Sequence, residues 1–186
     1  MTQTVYTIGH SNGTTERLLG LLTQHGITAI ADVRSRPYSR FNPQFNREEL
    51  AGALKAAGIG YVFLGQELGA RSDDPSCYRD GRAQYVLMAQ TPLFARGIER
   101  LLAGEAHRAA ILCAEKEPLT CHRSMLIGRY LHERNVRAPH SGGRRSGGAP
   151  FVARSPTRIA RHAGRSSFPF QGRADCDGLR KAGGRY

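Results

Sequence analysis

The chain predicts an α/β fold: a single domain with a mostly parallel sheet and helices on both faces, followed by a disordered basic tail. Three observations carry this. Short apolar runs alternate four times with stretches of helical spacing, the pattern of strand–helix units that build parallel sheets. The runs over 27–33 and 109–114 are apolar at almost every position, as strands covered on both faces are. From residue 135 onward periodicity stops, and the chain becomes rich in Arg, Gly, Ser and Pro, with 9 of its 22 glycines in that segment.

The first strand is the β-prone run from Val5 to Ile8, which ends at Gly9-His10-Ser11-Asn12-Gly13. Thr14 or Thr15 can cap a helix, because a hydroxyl accepts from the free N–H groups of a first turn. Leu18, Leu19, Leu21, Leu22 and Ile27 follow at roughly helical spacing, and Gly26 stops that helix. The second strand, Ile27 to Val33, runs into a loop containing Arg34, Arg36 and Arg40. Asn46 is placed to cap the next helix, with Glu48 and Glu49 favourable in its first turn. Leu50, Leu54 and Ala57 keep one apolar face, Gly58 closes it, and Ile59 to Leu64 is the third strand. The polar stretch from Gly65 to Asp80 reads as a long loop, of the kind that serves as a lid or binding segment. Helical pattern resumes over 83–89 and again over 92–103, where Pro92 suits a first turn. Ala109 to Ala114 is the fourth strand, and a helix spans 120–134.

Charge is unevenly distributed. Residues 1–134 carry 16 Lys+Arg against 13 Asp+Glu, whereas residues 135–186 carry 11 against 2, so the net +12 belongs mainly to the tail. A whole-chain isoelectric argument for nucleic-acid binding therefore does not apply to the domain. The domain is expected over 1–134. For 135–186 two readings stand open: a nucleic-acid-binding arm, or a tail without function arising as an out-of-frame translation product. The four cysteines contain no CxxC pair, and there is no signal-peptide run and no stretch of about 18 apolar residues. A cytoplasmic protein with free thiols and no membrane partner is expected.

Ligands of open α/β sheets bind beyond the carboxyl ends of the strands. Four polar segments leave the expected strands at that edge: His10-Ser11-Asn12, Asp32 to Arg40, Gly65-Gln66-Glu67, and Cys113-Ala114-Glu115 with Cys121-His122-Arg123. The arginines suit an anion through paired, charge-assisted hydrogen bonds. Arg34, Arg36, Arg40 and Arg123 are accordingly expected to bind substrate, with Ser11, Asn12, Ser39, Glu115 and His122 beside them. His10, Asp32 and Cys121 are the candidates for acid, base or nucleophile. Cys121 near a helix start, next to His122 and Arg123, has the surroundings that stabilise a thiolate. The spacing from Cys113 to Arg123 does not fit a Cys-x5-Arg phosphatase loop. Cys113, Cys121, His122 and His10 also offer metal-ligand types, without a recognised spacing.

Taken together, Thr7-Ile8-Gly9-His10-Ser11-Asn12, Asp32-Val33-Arg34-Ser35-Arg36-Pro37, Ser39-Arg40-Phe41-Asn42-Pro43-Gln44-Phe45 and Leu112-Cys113-Ala114-Glu115 with Cys121-His122-Arg123 resemble the DUF488 family. Tyr61 and the pairs Leu64-Gly65 and Leu68-Gly69 fit the same pattern. The resemblance implies a cytoplasmic α/β domain of bacterial or archaeal type in which these motifs share a pocket, and it implies no settled reaction or cofactor. Members continue after the Cys-His-Arg helix with a histidine-containing strand and an acidic segment. Here Asn135 to His140 starts that way and then turns basic, so a missing last strand is expected. The resulting expectation is an enzyme with an arginine-lined pocket for a phosphorylated or nucleotide-like substrate. The alternatives are a non-catalytic module binding a nucleotide or nucleic acid, and a metal-dependent site at the Cys/His cluster.

Overall fold

The computed structural model describes residues 4–104, 107–134 and 136–139, so both readings of the tail concern a segment almost wholly outside the described residues. The chain runs β1 (Tyr6–Gly9), α1 (Thr15–Gln24), β2 (Ala29–Asp32), α2 (Arg47–Ala56), β3 (Gly60–Phe63) and α3 (Gly65–Leu68). A small hairpin follows, β4 (Tyr78–Arg79) and β5 (Arg82–Ala83), then α4 (Tyr85–Met88), α5 (Pro92–Leu102), β6 (Ala109–Cys113) and α6 (Arg129–His132). β1, β6, β2 and β3 form one sheet in that order, and every pairing in it is parallel.

The alternation of side chains along each strand divides the core into two layers. Ile8, Ile30, Ala110 and Leu112 pack against Leu18 and Leu22 of α1 and Leu50 and Leu54 of α2. Ala31 and Ile111 point the other way, onto Leu68 of α3, Phe94, Ile98 and Leu101 of α5, and Leu126 and Ile127. Helices thus cover both faces, as the doubly apolar strands require. β6 is flanked on each side by a strand whose following helix lies on the opposite face from its own. Its carboxyl end is therefore the switch point of the sheet, where the exits diverge and leave a crevice.

Local signals account for most of the boundaries. Thr14 caps α1 by accepting from the Arg17 N–H, and Gly26 ends the helix with φ of 59°. Thr91 caps α5 by accepting from the Phe94 N–H at 3.1 Å. Asn46 stands at the start of α2 but does not cap it, because its Oδ1 accepts from the Ser39 N–H at 2.8 Å instead.

Three further expectations change. The long loop over 65–80 contains α3 and a 3-10 turn at Pro75–Cys77, which buries Cys77. The helix expected over 83–89 shrinks to α4, because Asp80 and Gly81, with φ of 49° and 71°, make the two-residue turn of a hairpin. The helix over 120–134 is split into wide π-type turns at Arg123–Gly128 and then α6. Such turns recur at functional sites.

Residues 136–139 are part of the fold. Val5 and Thr7 donate their N–H groups to the carbonyls of Arg137 and Pro139 at 2.8 and 2.9 Å, so this segment runs along the outer edge of β1. No helix among the described residues is long and apolar enough to cross a membrane.

Candidate functional site

β1, β2 and β6 bring the expected site residues to one edge of the sheet, but in two clusters on opposite faces. Strand register explains the division. Asp32 is level with Leu112 and shares its face, while Cys113 follows one residue later and points to the other side.

The first cluster is built on Asp32 and Arg34, both buried. Arg34 donates to Asp32 Oδ1 from its backbone N–H (3.1 Å) and Nε (2.9 Å), and to Oδ2 from Nη2 (2.6 Å). Tyr61 donates its hydroxyl to the same Oδ2 at 2.8 Å. The Arg34 Nη1 donates to the Phe45 carbonyl at 2.8 Å and to His10 Nε2 at 3.2 Å. His10 must therefore accept at Nε2, and its Nδ1–H donates to the Ser11 carbonyl at 2.7 Å. Burial, then the Arg34 charge, push its pKa down to about 4, and its ring lies 4.2 Å from that of Phe45. Burial, then the Asp32 carboxylate, push the Tyr61 phenol up. Nearly every polar atom here is used internally. Asp32, Arg34 and His10 brace the loop that carries the exposed arginines, and Arg34 has one N–H left for an anion.

The second cluster sits at the end of β6. Cys113 is 5 % exposed, Cys121 0 % and His122 4 %. The Cys121 thiol donates to Cys113 Sγ at 3.2 Å, and each sulfur lies 3.7 Å from His122 Nδ1. His122 Nε2 is 3.1 Å from the Val33 carbonyl, which can only accept. The ring proton of neutral His122 is thus on Nε2, and the Nδ1 lone pair faces both sulfurs. The Cys121 thiol, then His122 and the backbone N–H of Glu115, hold the Cys113 thiol well below its ordinary range despite burial. Sharing with Cys113, then burial, push Cys121 up, while the Arg123 backbone N–H and charge act the other way. Tyr85 stands close enough that Cys121, Glu115 and Cys113 add to burial in raising its phenol.

Arg123 is fully buried. It donates from Nη1 to the Glu115 carbonyl at 2.5 Å and from Nη2 to the Lys116 carbonyl at 3.0 Å, which folds the loop after β6 back over β1. Gly9 makes this possible, since a Cβ there would land on the Glu115 carbonyl oxygen. Among the described residues no carboxylate pairs with Arg123, and its Nε has no partner. A buried cation of this kind favours an anion beside it.

The remaining expected residues lie at the rim. Ser11, at φ 53°, donates its N–H to the Ala114 carbonyl at 2.9 Å and its hydroxyl to Asn12 Oδ1. Ser39 Oγ accepts from the N–H groups of Phe41 and Asn42, holding the loop rather than facing a ligand. Arg36, Arg40 and the Glu115 side chain are exposed, and Arg40 lies over the Phe41 ring at 4.7 Å. A cavity of about 220 Å³ lies elsewhere, at the amino ends of β2, β3 and β6 beside α5, with Gly60, Val62, Leu101 and His107 in its wall.

A family model for a domain of unknown function, DUF488, matches residues 14–130, from the cap of α1 into α6. The chain belongs to the DUF488 family. No curated protein matches it. In this DUF488 domain, β1 with His10, Ser11 and Asn12 precedes the matched region, yet it closes the sheet beside β6 and supplies part of the rim.

Tyr61 and Tyr85 are the site residues to which sequence reasoning gave no role, and Cys113 entered it only as a candidate metal ligand. Tyr61 lay in a strand with no sign that its hydroxyl would meet Asp32.

Proposed function

We propose that the protein is a cysteine-dependent enzyme whose reaction centre is the cluster of Cys113, Cys121 and His122, acting on a small phosphorylated or nucleotide-like anion. The observation that carries this is the buried thiol pair at 3.2 Å under the His122 lone pair. Cys113 supplies the thiolate. Cys121 donates to it, and His122 takes a proton from the pair at Nδ1. The position supports an anionic substrate, because the Arg123 charge, with no carboxylate partner among the described residues, lies beneath the loop that follows Cys113. Cys113 replaces Cys121 as the leading thiolate, since the Cys121 thiol donates to its sulfur and Cys113 is the accepting partner of the pair.

The test is turnover of a panel of nucleotides and phosphate esters by the full chain, followed by chromatography. Turnover is expected for wild type and lost in Cys113→Ser. A panel with no turnover, or turnover untouched by that substitution, sinks the reading.

A binding module is the second reading, favoured by Phe41, which is 78 % exposed next to Arg40. Aromatic rings flanked by arginine stack on bases. Retained nucleotide binding by Cys113→Ser with no turnover in wild type would favour it.

A further inference from the structure

We propose that Cys113, Cys121 and His122 bind a soft divalent cation of the zinc type through two thiolates and the imidazole Nδ1, with a fourth position open to water or substrate. This rests on the cluster being the reaction centre; with the ion bound, Cys113 and His122 serve there as its ligands in place of free thiolate and proton acceptor.

The three donor atoms all lie within 4.8 Å of one another, on three buried residues. Tetrahedral zinc, with bonds of about 2.3 Å to sulfur and about 2.0 Å to nitrogen, separates two sulfurs by about 3.8 Å and sulfur from nitrogen by about 3.5 Å. Both sulfur–nitrogen distances are 3.7 Å and already suit this geometry. The sulfurs, at 3.2 Å, would part by about half an ångström as the S–H contact between them is replaced by the ion.

His122 is oriented in advance. Its Nε2–H is held by the Val33 carbonyl at 3.1 Å, the outer partner that fixes tautomer and ring plane in metal-bound histidines. Cys113 ends a strand in the middle of the sheet, and Cys121 opens the turn that packs on it, so two of the ligands stand on rigid elements. Two thiolates with an imidazole favour zinc-like ions over magnesium or calcium, which take oxygen ligands.

Charge points to the fourth ligand. Two thiolates and the Arg123 guanidinium sum to one negative charge, and a divalent ion turns that into one positive charge. An anion in the open position, either hydroxide or an oxygen of an anionic substrate, brings the buried site to neutrality. The ion would lower the pKa of a bound water toward neutrality and polarise a substrate oxygen. Three protein ligands with one position free is the arrangement of catalytic rather than structural zinc.

The experiment uses the full chain, stripped with a chelator under reducing conditions and titrated with Co²⁺ and then Zn²⁺. Stoichiometric cobalt binding with a thiolate-to-metal charge-transfer band is expected, displaced by zinc. Cys113→Ser, Cys121→Ser and His122→Ala should each weaken binding about 100-fold or more, while Cys176→Ser leaves it unchanged. A readout on unaltered protein guards against misfolded variants: zinc should protect Cys113 and Cys121, but not Cys176, from iodoacetamide, as read by peptide mass. Cobalt binding without the charge-transfer band, or absent protection, overturns the site. Turnover that survives chelation but is lost in Cys113→Ser overturns the metal alone. Turnover that survives Cys113→Ser removes the reaction centre itself.

Discussion

His122 donates from Nε2 to the carbonyl of Val33, the residue between Asp32 and Arg34, and so ties the two polar clusters together through the backbone of β2's exit. The clusters themselves do different work. On one face Asp32, Arg34, His10 and Tyr61 satisfy one another and hold the loop that carries Arg36 and Arg40. On the other, the His122 lone pair and two sulfurs face each other with donor capacity to spare. The fold places the reactive groups at the end of β6, where the helices of neighbouring strands leave on opposite faces.

Asp32→Asn should destabilise the domain by about 3–5 kcal/mol, because it leaves the Arg34 cation buried with no counter-charge. Tyr61→Phe removes only one of the four hydrogen bonds to that carboxylate and should cost about 1 kcal/mol. Urea unfolding of both variants checks the ranking. A catalytic Asp32 would instead lose turnover at unchanged stability.

His10 makes stability depend on pH. Its pKa is about 4 in the fold against about 6.5 unfolded, so between those values the unfolded chain binds the extra proton. The stabilising effect is present above pH 6.5 and is lost as pH falls toward 4. Between pH 7 and pH 5 the His10 contribution should fall by about 2 kcal/mol. Urea midpoints at the two values, compared with those of His10→Gln, isolate it, and equal pH slopes in the two proteins would contradict the assignment.

Much of the fold was legible because its signals are local. The runs at 27–33 and 109–114, Thr14, Gly26 and Pro92 each announce an element through its own chemistry. The site was legible only as a set of segments. That Asp32 and Cys113 fall on opposite faces depends on register between β2 and β6, which pairs residues about 80 positions apart and leaves no local trace. For Arg34 and Arg123 the sequence neighbourhood does not show where the donors end. Here they end on Asp32, Phe45 and the carbonyls of Glu115 and Lys116. The Asp80-Gly81 hairpin was available from the dipeptide alone and was overlooked beneath an apparent helical period.

Glycines separate packing from propensity. Gly9→Ala should cost about 2 kcal/mol or more, since its Cβ would collide with the Glu115 carbonyl and push the β6 loop off Arg123. Gly20→Ala, at an exposed position of α1 with nothing within 4 Å of the new methyl, should stabilise by about 0.8 kcal/mol. Thermal denaturation of the two variants should move in opposite directions.

The outer edge of β1 supplies the last prediction. A chain ending at Arg134 leaves the N–H groups of Val5 and Thr7 without the carbonyls of Arg137 and Pro139, although both residues are buried. It also removes Val136, which packs against the core beside α6 and donates its N–H to the Leu131 carbonyl at 3.0 Å. Each lost hydrogen bond is worth about 1 kcal/mol, and an open sheet edge invites pairing with another chain. Compared with a chain ending at Pro139, the shorter form should be less stable by about 3 kcal/mol and should aggregate at lower concentration. Denaturant unfolding and light scattering of the pair decide it. If the two forms unfold together, the segment after α6 adds nothing to the sheet, and β1 holds its edge position through β6 alone.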